Sequence, residues 1–247
     1  MNVVLGWPLG TVLALLIVGG AAVIGVGRLG SWRPVVTAAV RAVGQLAAVS
    51  LVIVFVLRSG WLTAAFVLFM FGIAAWTSAR RITRARHGRW VAASIGVGVA
   101  PILGLLLATR IVPANPLAVV PIAGILIGGA MTATSLAGRR ALDELTARRG
   151  EYEAALALGF TDQDAVRLIV RPTAGQALVP VLDQTRTVGL VTLPGTFVGI
   201  LLGGGSPLQA GATQLLVLIA LLAIEGIAVL ITVELVANRK LSPAGWT

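Results

Sequence analysis

A carboxylate deep in an apolar helix is costly. Glu225 sits near the centre of the apolar run 212–237. On insertion scales an ionisable group at mid-bilayer costs about 2.5–3.5 kcal/mol, so such a residue calls for a use. Two further polar groups lie inside apolar runs. Arg41 and Gln45 share a helix face at i, i+4, and Asp183 and Arg186 share one at i, i+3. These groups can attract, hold or neutralise a charge. With no cysteine and one histidine, His87, in the chain, disulfides, thiolate metal sites, cysteine nucleophiles and imidazole-rich metal centres are excluded. Hard cations prefer oxygen donors, which makes Asp183, Glu225 and backbone carbonyls candidate ligands. A chelated or organic substrate fits the same residues equally well. The expected arrangement sets Arg41 against Asp183 near the inner mouth of a pathway, with Glu225 deeper. The competing arrangement has these charges locking helices together or snorkelling to the interface.

A second cluster is soluble in character. Residues 141–171 hold most of the nine acidic residues, and EYEAALALGFTDQDAVRLIVRP (151–172) predicts a helix, a glycine turn and a second helix. Ala154, Ala155 and Leu158 fall on one face of the first helix, and Gly159 closes it. Thr161 is the expected N-cap of the second, with Asp164 in its first turn. Ala165, Leu168 and Ile169 form its apolar side as far as Pro172. A small apolar tip flanked by charges suits insertion into a groove on a partner, where Glu153 meets a basic residue or caps its own helix.

The elements that position these residues are membrane spans. The 247 residues are 57% hydrophobic and 11% charged, with a mean hydropathy of +0.98, whereas soluble domains carry about 25% charge. Seven apolar stretches appear, at about 9–26, 35–57, 61–76, 90–109, 117–137, 174–203 and 212–237. Each is long enough to cross a hydrocarbon core of about 30 Å as a helix, and lipid leaves no alternative to helix for the backbone. The stretch 174–203 exceeds one span and contains Pro180 and Pro194. It reads best as an interfacial helix over about 174–186 followed by a shorter span. Basic residues crowd alternate loops: Arg28 and Arg33, the group Arg80 to Arg89, the group Arg139 to Arg171, and Arg239 with Lys240; the other loops hold only Arg58 and Arg110. The positive-inside rule then puts the N-terminus outside and the C-terminus in the cytosol. The formal charge of +10 therefore reflects topology and contact with anionic lipid, and nucleic acid is not an expected partner. Gly124 and Gly128, and the series Gly195, Gly199 and Gly203, follow the small-x-x-x-small spacing of close helix packing. Trp7, Trp32, Trp61, Trp76 and Trp90 fall near span ends, as interfacial anchors do.

The order Glu153-Ala154-Ala155, Gly159, Ile169, Pro172 resembles the EAA loop of ABC-transporter membrane subunits, with Arg171 where those usually have leucine. VPIAGILIGGAM (120–131) and ALVPVLDQTRTVGLVTLPG (177–195) resemble the FetB family of bacterial ABC permeases, to which plant aluminium-tolerance ABC membrane subunits are similar. The likeness runs over nearly the whole chain. It implies a membrane subunit that pairs with a separate ATPase and with a second copy of itself, in a family associated in bacteria with iron export. Glu153, Ala154, Ala155, Gly159, Ile169 and Pro172 would then be the ATPase-coupling residues.

The chemistry of the chain agrees with that division of labour. A Walker A loop needs a lysine for the β/γ-phosphates; the sole lysine, Lys240, follows no such loop. The expectation is an all-α polytopic membrane protein of about seven spans, one transmembrane domain over 1–247, with a cytosolic coupling segment at 139–172. ATP and Mg belong to the partner ATPase, no cofactor binds this chain, and it is not itself an enzyme. An ion-driven carrier or channel without an ATPase is the alternative.

Overall fold

The computed structural model describes residues 6–83 and 89–243, and is helical almost throughout. Arg84, Arg86 and His87 of the basic loop lie outside the described residues. The chain divides into two compact units, 1–58 and 59–247. The first holds α1 (Trp7–Val26) and α2 (Arg33–Val56), which pack as a pair. Each begins with a proline in its first turn, where the missing N–H costs no helical bond. Their side chains are almost all exposed, as suits apolar helices whose solvent is lipid.

The second unit contains α3 (Gly60–Ile82), α4 (Val91–Ala108), α5 (Pro116–Ala147), α6 (Arg149–Ala157), α7 (Asp162–Ala174), α8 (Val179–Thr187), α9 (Gly195–Leu202) and α10 (Pro207–Ala237). The two longest helices have capped starts: Asn115 Oδ1 accepts from the Ala118 N–H at 2.9 Å, and Ser206 and Gln209 form a reciprocal capping box. The core is built on α5 and α10, with α3 and α4 packed alongside. Helices approach closely where side chains vanish. A Cβ on Gly138 would lie 2.6 Å from Ile82 Cδ1, and one on Gly98 would lie 2.9 Å from the Ile224 carbonyl. Ser78 and Ser135 share a buried hydrogen bond of 2.9 Å across α3 and α5.

Among the described residues six helices, α1 to α5 and α10, are long and apolar enough to cross a membrane. The expected stretch 174–203 supplies no seventh helix of that length, being broken into short pieces. After α7 a 3-10 turn (Gly175–Leu178) leads into α8, which ends at a turn where Gly189 (φ +80°) donates to the Thr192 carbonyl at 2.9 Å. Pro194 then caps α9. The separate short helix expected in the first half is present as α8, and in the second half α9 is shorter than one continuous span. Eight residues of α9 rise only about 12 Å. Hydropathy is blind to this break, because Gly189 and Pro194 interrupt the helix without adding charge.

Among the described residues, the glycines expected to pack make no tight helix contact. A Cβ on Gly128, Gly195 or Gly199 would meet nothing within 4 Å, one on Gly124 would lie 3.8 Å from Met70, and one on Gly203 would approach only its own helix. The close approaches run through Gly98, Gly129 and Gly138 instead.

Candidate functional site

The polar stretch folds into the expected helical knob. Its first helix, α6, ends in a Schellman motif: Gly159 donates to the Leu156 carbonyl at 3.0 Å and Phe160 to the Ala155 carbonyl at 3.1 Å. Gly159 has φ +91°, a conformation that disfavours any residue with a Cβ. Thr161 caps α7, its Oγ1 accepting from the Asp164 N–H at 3.2 Å. The seat of the knob is buried: Ala155 on α6, and Ala165, Val166, Ile169 and Val170 on α7, with Val166, Ile169 and Val170 joining the core cluster that holds Leu142 and Leu145 of α5. The tip is bare. Leu158 is 79% exposed and Phe160 48%, and Ala154 is exposed as well. Glu153 pairs with Arg149 of its own helix at 2.8 Å.

Two expectations for α7 need correcting. Leu168 is exposed, and the apolar side runs through Val166 and Val170 instead. Pro172 does not end the helix, which continues to Ala174; there the proline ring removes only the bond to the Leu168 carbonyl.

Charged groups fasten the knob to the end of α10. Glu234 accepts from Arg167 Nη2 at 2.8 Å and from Arg171 Nη2 at 2.9 Å. Arg239, just past α10, donates to both oxygens of Asp162, from Nε at 2.9 Å and from Nη2 at 2.6 Å. The same Nη2 reaches the Tyr152 hydroxyl at 2.7 Å, and that hydroxyl donates to Asp162. The Arg239 guanidinium lies 5.2 Å from the Tyr152 ring centre. Gln163 donates to Asn238 Oδ1 at 3.1 Å.

The Arg239 hydrogen bonds hold the Asp162 carboxyl below its ordinary value of 3.8, aided by the Tyr152 hydroxyl. A depressed carboxylate stabilises the docked knob above the ordinary value and ceases to do so as pH falls through the lowered one. Hydrogen exchange of the α7 amides is therefore expected to stay slow from neutral pH to about pH 5 and to accelerate below pH 3.8, the ordinary value. In Asp162→Asn the acceleration at acid pH attributable to this group is lost, and exchange is faster already at neutral pH.

Glu225 occupies a different place. It is 7% exposed, on the α10 face turned to α5, and it lines a cavity of about 240 Å³ with Gly128, Gly129, Thr132, Pro180 and Gln184 among others. A Cβ on Gly129 would lie 2.7 Å from Glu225 Oε1 and 2.5 Å from Leu221 Cδ2. Gly129 thus makes the room that the carboxylate fills. Carboxylate, hydroxyl and amide oxygens gather on one small space, and among the described residues Glu225 is the only ionisable group on its wall. Such a donor set favours a hard cation or the donor groups of a polar solute.

Asp183 pairs with Arg186 on α8 at 3.6 Å, and both are exposed; exposed pairs of this kind contribute about 0–1 kcal/mol. Arg41 and Gln45 are exposed on α2 of the first unit. Of the expected pathway residues, Glu225 is the one the structure sets in a cavity of the second unit. Sequence reasoning missed Gly129, Thr132 and Gln184 as its companions, and missed Glu234 and the pairing of Arg239 with Asp162. Arg167 and Arg171 carried a usable signal: two arginines one helical turn apart require an acidic partner, and Glu234 near the end of an apolar run was available.

Comparison with known proteins adds relatives to this geometry. The model of the family described as "Uncharacterised protein family (UPF0014)" matches residues 8–241. The chain is 36% identical over 195 residues to "UPF0014 membrane protein STAR2" of Oryza sativa subsp. japonica, covering 77% of this chain and 68% of that protein. It is 36% identical over 178 residues to "Protein ALUMINUM SENSITIVE 3" of Arabidopsis thaliana, covering 70% and 65%. It is 30% identical over 204 residues to "Probable iron export permease protein FetB" of Escherichia coli (strain K12), covering 81% and 78%. No solved structure matches the chain.

Proposed function

The chain belongs to the UPF0014 family of multi-pass membrane proteins, and from that premise we propose that it is the membrane-spanning subunit of an ABC transporter. Its cargo is iron, another metal ion or a metal chelate, moved outward across the membrane. ATP, with Mg, is hydrolysed on a separate ATPase chain, and two copies of the membrane subunit work together in lipid. The N-terminus lies outside and the knob and C-terminus lie in the cytosol.

The observation that carries this reading is the knob: a buried seat and, beyond Gly159, an exposed apolar tip of Leu158 and Phe160. A lone polar loop has no reason to hold such a tip out of the core, whereas an ATPase groove gives it a place. ATP binding draws the two ATPases together, moves both knobs, and shifts the spans as rigid bodies between inward- and outward-open states. The Glu225 cavity is the cargo site, and the name of the Escherichia coli relative supports a metal as the cargo. Gly195 and Gly199 of α9 and Gly203 just past its end, exposed in this chain, supply a close-packing face for the second copy.

The test is capture of the ATPase. Replacing Leu158 and Phe160 by glutamate puts charge where an apolar groove must close, at about 2 kcal/mol or more for a central contact. Capture of the partner ATPase in detergent is expected to weaken by at least about thirtyfold, with the unfolding midpoint of the isolated chain unchanged because both side chains lie outside the core. Iron flux from vesicles that hold this chain and no ATPase, responding to membrane potential, overturns the reading in favour of an ion-driven carrier.

A further inference from the structure

The knob is attached to α10 at two points, and that double attachment has a mechanical meaning. One point is the first turn of α7, where Arg239 grips Asp162 with two bonds and Gln163 meets Asn238. The other is its middle, where Arg167 and Arg171 converge on Glu234. Asp162 and Arg171 are about 14 Å apart along the helix. A single attachment would let α7 pivot; two so far apart fix its direction as well as its position. Beyond the clamp, α10 runs without an internal proline back to Glu225, about 14 Å away along its axis. Nothing in that interval can absorb a displacement as a kink does.

We propose that Arg167, Glu234, Asp162 and Arg239 are positioning residues of the transport cycle: they clamp the ATPase-driven knob to α10, so that its movement reshapes the Glu225 cavity. The proposal rests on the ATP-driven reading above and adds the route within the chain. The clamp stays closed through the cycle, and α7 and α10 move as one body. The buried contacts of Val166, Ile169 and Val170 with the core keep the knob seated, but apolar contacts permit sliding. The charged pairs, which need fixed angles and distances, do not.

The chain has no cysteine, so a single Thr132→Cys puts one thiol on the cavity wall. The complex with the ATPase, in lipid vesicles, is treated with a small maleimide before and after ATP is trapped with vanadate. Trapping is expected to change the labelling rate about fivefold or more. Adding Glu234→Gln and Arg239→Gln is expected to leave the ATPase bound and hydrolysing ATP while the change falls to less than about twofold. The charge exchange Asp162→Arg with Arg239→Asp, made with Glu234 intact, restores it where Arg239→Asp alone does not. Arg167→Lys keeps the charge, gives up the two-pronged grip and tests the clamp mildly should the neutralised form fail to fold; it is expected to give an intermediate change. A full labelling change in the neutralised variant or in Arg167→Lys overturns the clamp, as does no change in the Thr132→Cys parent while it hydrolyses ATP. A parent that captures no ATPase removes the transporter reading itself, and the clamp with it.

Discussion

Gly129→Val is expected to unseat α10 from α5 and abolish transport, while Gly128→Ala, one residue earlier, leaves stability intact. The first Cβ at Gly129 would already stand 2.5 Å from Leu221 Cδ2 and 2.7 Å from Glu225 Oε1, and valine adds two methyl groups to that overlap. Overpacking of this kind costs about 1–3 kcal/mol, and more where neighbours cannot give. Leu221 is buried, and any retreat of Glu225 carries the carboxylate out of its cavity. At Gly128 an added Cβ meets nothing within 4 Å, so alanine adds only helix propensity. Thermal unfolding of the two variants in the same detergent makes the comparison. An equal shift in both, or none in Gly129→Val, removes the basis for assigning Gly129 to the carboxylate.

Glu225→Gln is expected to do the opposite to stability and the same to transport. The carboxylate is almost fully buried, and among the described residues no other ionisable side chain lines its cavity. Holding a charge in such surroundings is unfavourable; an amide of nearly the same shape removes that cost, so the variant is expected to unfold at a higher temperature. A charged oxygen contributes about 1.5–3 kcal/mol more to a bound ion or donor than leaving it unpaired does, so iron flux in the ATPase-coupled complex is expected to fall about 10- to 100-fold. Glu225→Asp retains the charge but draws it back by one methylene, and is expected to lie between. A gain in stability with loss of activity marks a group kept for function against the interest of the fold. Unchanged flux in Glu225→Gln makes the carboxylate a packing residue and nothing more.

What could be read in advance follows from which forces are local. The long spans were legible because the bilayer dictates length and apolarity, and prolines at 8, 34, 116 and 207 punctuate their starts. The knob was legible because its turn and cap are made by neighbours in sequence, Gly159 and Thr161. The buried side of α7 was misjudged at Leu168, since from Ala165 the i+3 and i+4 neighbours, Leu168 and Ile169, both lie close to the same helix face, and only packing on the core decides that the face runs through Val166 and Val170. The stretch 174–203 was taken as long enough for a span because its breaks are made by Gly189 and Pro194, which hydropathy counts as neutral. Glycine spacing named Gly124 and Gly128 where the tertiary contact chose Gly129, because a repeat specifies a stripe but not which helix faces it. Glu234 and Arg239 escaped notice for a similar reason: their partners, Arg167 and Asp162, are 67 and 77 residues away.

The bare tip of Leu158 and Phe160 also bears on how the chain is made. If the proposed ATPase pairing holds, a copy synthesised without that partner displays greasy side chains to water, where chaperones and proteases sample such surfaces. Balanced synthesis of the two polypeptides is then a condition for accumulation, and overexpression of this chain alone is expected to yield a short-lived product that the ATPase rescues.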